Sequence, residues 1–258
     1  YKRQLYYIKK NFKLIMNSEN IRKIFHPFTK IPGVRLFLGG LYRQFIYNPI
    51  RKKEIALFQK NALSVLTEFD DILKESNVPY CLFWGSLIGA VREHGFIKHD
   101  FDIDVAMWHK DYTPELKQAL IDAGFKHKHR FLVDRGISGM EDTFEKSGVA
   151  IDIFYFFKDN ESQKSYCCSF DYINGEVTWE DCIRKYHTIN LYRFFFDLPS
   201  QFKYVPFENI SLPIPENYDE ILRSYYGNDY MIPNPNWPGG EPDENKWNDR
   251  MIDYLTFD

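Results

Sequence analysis

Between residues 54 and 77, apolar side chains recur at spacings of three and four: Phe58, Ala62, Val65, Leu66, Phe69, Ile72 and Leu73. That rhythm lines one face of a helix. Residues 80–84 form a short apolar run that reads as a strand. Gly85-Ser86 then turns the chain into a short helix through His94, which Gly95 ends. From Asp100 the period changes to two, Asp100-Phe101-Asp102-Ile103-Asp104-Val105, predicting a strand over residues 101–107. Thr113 is placed to cap a helix and Pro114 to open it, with the helix running to Ala123. Residues 125–134 and 149–157 read as further strands. Beyond Lys158 the pattern weakens, with a hairpin signal at Ile173-Asn174-Gly175 and a last helix over residues 216–226, followed by a loop rich in Pro, Asn and Trp. Before Glu54, Pro27, Pro32 and Pro49 break the chain into short helices.

The alternation at 100–105 carries chemistry. A strand sends every second side chain to one face, so Asp100, Asp102 and Asp104 share a face with Phe101, Ile103 and Val105 behind them. Three carboxylates so placed repel one another, and a hard divalent cation, Mg²⁺ or Mn²⁺, relieves this through oxygen ligands. Asp102 and Asp104 lie within the strand and are the first candidates as ligands; Asp100 lies nearer the loop and joins them or stands behind them. The plain alternative, a solvated Asp-x-Asp turn, fits poorly with bulky apolar residues between the acids. Asp152 interrupts the apolar run Val149-Ala150-Ile151-Asp152-Ile153-Phe154-Tyr155-Phe156-Phe157. Burying a carboxylate there costs several kcal/mol unless it is paired or metal-bound. It is read as a third ligand or as the base that deprotonates an attacking hydroxyl, the alternative being a salt bridge to a nearby Lys or Arg. Gly85 and Ser86 let the backbone approach an anion at a helix start, and Arg92 adds a charge-assisted donor unless it is an ordinary surface arginine.

With 258 residues, 44 % of them apolar, the chain can bury one large domain or a domain with an appendage. Aromatic residues reach 18 %, which suits a core, a carbohydrate-facing surface or a membrane-facing surface alike. No apolar run approaches the roughly 18 residues of a transmembrane helix, and no secretory signal is visible after Tyr1. Four cysteines do not suggest a disulfide framework. Together these favour the cytoplasm. Cys167, Cys168, Cys182 and His187 lack the paired hooks of a zinc site and read as buried thiols with a nearby histidine. His127 and His129 alternate in a strand and read as surface residues.

The segments Gly85-Ser86-Leu87-Ile88-Gly89-Ala90-Val91-Arg92, Gly95-Phe96-Ile97 and Asp100-Phe101-Asp102-Ile103-Asp104 together resemble the signature of the LicD/fukutin-related phosphotransferases. Ala150-Ile151-Asp152-Ile153-Phe154 is similar to that family's third carboxylate strand. Leu212-Pro213-Ile214-Pro215 and the segment 221–230 are similar to its closing part, so the likeness covers roughly residues 55–235. Lys98-His99 stands where the family often has Pro-Trp, and Phe101 where many bacterial members carry another aspartate. The resemblance implies an α+β fold, a nucleotidyltransferase-like mixed sheet with flanking helices, here preceded by a basic helical arm at 1–53 and followed by a tail at 236–258. It implies transfer of a phosphorylated small alcohol, such as phosphocholine or ribitol phosphate, from a CDP-linked donor to a glycan hydroxyl with release of CMP. Cell-surface polysaccharide or lipopolysaccharide would be modified. Gly85, Ser86, Arg92, Lys98 and His99 would then meet the donor, with Asp102, Asp104 and Asp152 catalytic. A nucleotidyltransferase proper, releasing pyrophosphate, uses the same carboxylates, and a non-catalytic binding module would keep the fold without needing them.

The net charge of −3 hides a division. Residues 1–53 hold 13 Lys and Arg against one acid, Glu19, whereas the rest holds 20 basic and 35 acidic residues. A basic, aromatic-rich arm can meet an anionic surface, or fold back and neutralise its own acidic body. Nucleic acid is disfavoured, since that body repels phosphates. Acceptors of the resembled family include lipid-linked glycans, which gives peripheral attachment to an anionic membrane a purpose. Each Lys or Arg near such a surface contributes about 1 kcal/mol, screened by salt. The membrane reading therefore expects co-sedimentation with anionic but not neutral vesicles, falling with added salt and with deletion of 1–53. Equal binding to both vesicle types, or none, leaves the intramolecular role.

Overall fold

The computed structural model describes residues 48–98, 100–173, 178–197, 202–233 and 243–257. The basic arm up to residue 47, His99, the predicted hairpin tip at Asn174-Gly175 and most of the Pro/Asn/Trp-rich loop lie outside the described residues. Helix α1 spans Asn48–Glu75. It begins before the expected Glu54, because Pro49 falls in its first turn, where no helical N–H is lost. There follow β1 (Tyr80–Leu82), α2 (Trp84–Arg92), β2 (Asp102–Trp108), α3 (Pro114–Asp122), β3 (Lys126–Val133), β4 (Gly139–Lys146), β5 (Val149–Lys158), β6 (Ser165–Asp171), α4 (Trp179–Tyr186), β7 (Asn190–Phe196), β8 (Phe202–Phe207), β9 (Ile210–Pro215), α5 (Tyr218–Tyr226) and β10 (Ile252–Thr256). Thr113 caps α3 as its sequence predicts, its hydroxyl accepting from the Leu116 N–H at 3.1 Å. Among the described residues no helix is long and apolar enough to cross a membrane.

Among the described residues, those within 55–170 and 191–257 form one compact unit, and those within 48–54 and 171–190 belong to a second. In the smaller, Thr178 caps α4 by accepting from the Asp181 N–H. Tyr172 stacks on Trp179 with ring centres 4.0 Å apart, and the Asn190 side chain donates to the Tyr172 carbonyl.

The larger unit holds an α+β architecture with a mixed sheet, as expected. Its strand order is β1-β2-β5-β4-β3-β10, with β6 joining β5 to β7 and β8-β9 forming a separate hairpin. β2 and β5 run parallel, while β1, β3, β4 and β10 pair antiparallel to their neighbours. The segment read as a tail supplies β10, which pairs with β3 from Ile252 to Thr256. Phe58, Leu66, Phe69 and Leu73 of α1 and Leu116 and Leu120 of α3 are buried in one cluster with Ile103, Val105, Ile151 and Ile153. Much of the aromatic content goes into this core. Phe83, Trp84, Phe154, Phe156, Phe194 and Phe196 pack ring against ring around the start of α2.

The two histidines of β3 are not surface residues. His127 is buried and His129 half-buried. The reason is a β-bulge: His127 pairs with Phe144 but His129 with Thr143, so Lys128 is an extra residue and the two histidines leave on opposite faces. His127 turns into the core against Asp142, a fully buried carboxylate. Asp142 accepts from His127 Nε2 at 2.6 Å, from Arg130 Nε and Nη2 at 2.7 Å each, and from the Tyr155 hydroxyl at 2.8 Å. Burial alone would push this carboxyl up, but the hydrogen bonds from His127 and Arg130 and the Arg130 charge hold it below the usual range. A depressed folded value stabilises the fold above the ordinary carboxylate range and loses that contribution as pH falls through it. Asp142→Ala, which strands a buried guanidinium, is expected to cost about 3–5 kcal/mol in urea unfolding at pH 7. The difference from wild type should shrink as pH falls below about 4.

Candidate active site

The face opposite Ile103 and Val105 gathers the acids. In the parallel pairing Asp102 lies beside Ala150 and Asp104 beside Asp152, on strands about 4.8 Å apart. The turn before α2 is fastened to the same spot. The Gly85 N–H donates to Asp104 Oδ2 at 2.9 Å, the Asp104 N–H donates to Ser86 Oγ at 2.9 Å, and the Phe83 N–H donates to the Asp104 carbonyl at 3.0 Å. A Cβ on Gly85 would stand 2.9 Å from Asp104 Oδ2 and 3.8 Å from Asp100 Oδ2, so any side chain there presses on the carboxylates. Trp84 takes a left-handed φ of 35° to make this turn, a strained conformation for a bulky residue. Its ring is held by Phe83 at 4.5 Å, Phe194 at 5.1 Å and Tyr225 at 4.5 Å between centres.

The carboxylates are half-buried and crowded. Burial raises Asp104 well above the ordinary range, the charges of Asp102, Asp152 and Asp100 raise it further, and the Gly85 N–H opposes this only in part. Burial and then the Asp102 charge push Asp152 up to about 7, against the opposing hydrogen bond from Thr143. That hydroxyl donates to Asp152 Oδ1 at 2.5 Å, and His129 Nε2 lies 3.0 Å from the Thr143 hydroxyl oxygen. Burial lowers His129 to about 4, so its ring is neutral at physiological pH. Crowded hard oxygens that resist ionising together are a donor set suited to Mg²⁺ or Mn²⁺. Among the described residues no three His, Cys, Asp or Glu side chains are arranged as a finished metal cage.

Ser86 is buried beneath Asp104. Arg92 is turned aside, its Nε 2.8 Å from Glu93 Oε1 and its Nη1 donating to the Tyr230 carbonyl at 3.4 Å. Lys98 is exposed, and its carbonyl accepts from Gln59 Nε2 at 2.8 Å. All four cysteines are free and buried, in line with the buried-thiol expectation. Thr143 carries no signal in the sequence, and His129 reads there as a surface residue rather than as part of the site. β4 carries Glu141, Asp142 and Thr143 in succession and has no apolar alternation to announce it, and the bulge hides which way His129 faces.

Residues 77–217, the stretch that holds Gly85 and all four acids, match the family described as LicD/FKTN/FKRP, nucleotidyltransferase domain; the chain belongs to this family. It is 32 % identical over 108 residues to mouse ribitol-5-phosphate transferase FKTN, covering 40 % of this chain and 22 % of that protein. Over 129 residues it is 32 % identical to an uncharacterized protein of Caenorhabditis elegans, covering 47 % of this chain and 33 % of the other. Over 67 residues it is 37 % identical to the lipopolysaccharide cholinephosphotransferase LicD of Haemophilus influenzae, covering 26 % of this chain and 23 % of that protein. The matched stretches thus span about a fifth to a third of these relatives' length.

The raised value of Asp152 has a consequence for stability. A raised folded value gives stability that is complete below the ordinary carboxylate range and is lost as pH rises through about 7. In buffer stripped of divalent cations, Asp152→Asn is therefore expected to melt a few degrees above wild type at pH 8, with the gap closing towards pH 4. A lower melting temperature for the variant at pH 8 would contradict this electrostatic picture.

Proposed function

We propose that this protein transfers a phosphorylated small alcohol, phosphocholine or a polyol phosphate such as ribitol phosphate, from a CDP-linked donor to a glycan hydroxyl, releasing CMP. The observation that carries the reading is the in-register meeting of Asp104 and Asp152 beside Asp102 and Asp100, with Gly85 closing over Asp104. The names of the mouse and Haemophilus relatives, ribitol-5-phosphate and cholinephosphate transferases, support the class of group moved.

Asp102 and Asp104 would hold Mg²⁺ or Mn²⁺, with Asp100 beside them. Two carboxylates, completed by water and donor phosphate oxygens, are a usual coordination for Mg²⁺, so the lack of a three-residue cage does not oppose this. When bound, the cation would neutralise the diphosphate and the charge that develops on the leaving CMP. The protein's own groups do the rest. Gly85 and Ser86 fix the Asp104 carboxylate and the β2 backbone at the turn. Asp152, whose raised value lets it exchange a proton near neutral pH, takes the proton from the acceptor hydroxyl as its oxygen bonds to phosphorus and the bond from phosphorus to CMP breaks. Lys98, beside the acids in sequence, is exposed towards solvent and open to an anionic donor.

The test is turnover of CDP-choline, CDP-ribitol and CDP-glycerol with and without glycan acceptors, scoring CMP against pyrophosphate. Acceptor-dependent CMP release is expected. Asp102→Asn and Asp104→Asn should each lower it by at least about 100-fold, the scale of losing a preorganised electrostatic contact, with circular dichroism unchanged. Near-wild-type turnover in either variant would overturn the assignment, and pyrophosphate as product would make the protein a nucleotidyltransferase.

A further inference from the structure

The bulge in β3 decides what stands behind Asp152. Residues two apart on a regular strand share a face, and His127 and His129 would then both point into the core or both away from it. The extra residue Lys128 separates them: His127 remains with Asp142, while His129 is set opposite Thr143 on the face that carries the acids. Successive strands thus place Asp104, Asp152, Thr143 and His129 side by side in one row across β2, β5, β4 and β3. Bulges beside functional sites commonly re-aim a side chain in this way.

The hydrogen-bond order along the row follows from counting protons. A threonine hydroxyl has a single proton to give. Thr143 gives it to Asp152 Oδ1 at 2.5 Å, so at the 3.0 Å contact His129 Nε2 must be the donor and Thr143 the acceptor. The ring is held between Phe131 and Tyr254, with centres 5.2 and 5.6 Å away. We propose that His129 and Thr143 are positioning residues for Asp152: the His129 Nε2–H orients the Thr143 hydroxyl, which holds Asp152 Oδ1 and leaves the other carboxylate oxygen to receive the acceptor's proton. This rests on the reading of Asp152 as the base. Neither residue touches the reacting atoms; they fix the direction in which the base presents itself.

The row has a signature independent of turnover. In ¹⁵N-labelled protein at pH 7.5, the His129 ring should be neutral with its proton on Nε2, assigned by the loss of its signals in His129→Gln. Thr143→Val should shift those signals or release the tautomer preference, and Thr143→Ser should restore the wild-type pattern. A wild-type ring protonated on Nδ1, or ring signals unmoved by Thr143→Val, would overturn the proposal whichever donor the enzyme uses. In the CMP-release assay, Thr143→Val should lower kcat about 10- to 100-fold, the cost typical of losing an outer-shell partner, with KM for the donor little changed. Thr143→Ser should recover most of that loss, and His129→Gln, which keeps a side-chain N–H facing Thr143, should lose less than Thr143→Val. Asp152→Asn separates the two levels. If it keeps wild-type turnover, the base assignment fails while the hydrogen-bond order stands on the spectra. If it is inactive and Thr143→Val is fully active, only the positioning role fails.

Discussion

The parallel, in-register pairing of β2 with β5 is the constraint on which the rest of the site depends. It sets Asp104 beside Asp152 with no freedom to slip, because a one-residue shift would expose Ile103, Val105, Ile151 and Ile153 and bury the acids among helices. The core thereby holds like charges together. The Gly85 N–H and the Thr143 hydroxyl relieve each carboxylate in part, and burial and mutual repulsion still win. An arrangement of like charges that costs stability is a common compromise at functional sites.

The two faces of the same sheet show how environment alone sorts identical side chains. Asp142, deeper than Asp152 and one strand away, receives four hydrogen bonds, two of them from the Arg130 guanidinium, and is held ionised. Asp104 and Asp152, with few donors and with Asp102 and Asp100 beside them, are pushed the other way. The first is a buried hydrogen-bonded network that ties β3, β4 and β5 together; the second is a crowded cluster of like charges, the kind of arrangement found at functional sites. Tyr155 and Thr143, from adjacent strands but opposite faces, are the hydroxyls that serve each.

The aromatic residues have a related part. Rings of Phe83, Phe154, Phe194 and Tyr225 surround Trp84, whose left-handed backbone brings the Gly85 N–H to Asp104. Aromatic contacts of this kind contribute about 0.5–1.5 kcal/mol each beyond simple burial, enough together to hold one strained residue. The local cost at the turn and the large apolar contacts behind it belong to a single device for placing one N–H.

What the sequence by itself determined was local and periodic. The three-and-four rhythm of 54–77 made α1, Thr113-Pro114 started α3, the alternation at 100–105 put Asp102 and Asp104 on one face, and Asp152 stood out because a carboxylate interrupts an apolar strand. What only the tertiary structure decided was partnership. β4 has no apolar alternation and forms because β3 and β5 flank it, and β10 because β3 offers an edge to a distant segment. Arg92, one helix from the acids in sequence, is drawn instead to Glu93 and the Tyr230 carbonyl. His127 and His129 looked equivalent and are not, since one bulged residue, defined only by pairing with β4, sends them to opposite faces. Periodicity is a property of a strand alone, whereas register, bulges and the hydrogen-bond partners they create exist only between strands, which is why the acids could be read from the chain and the residues standing behind them could not.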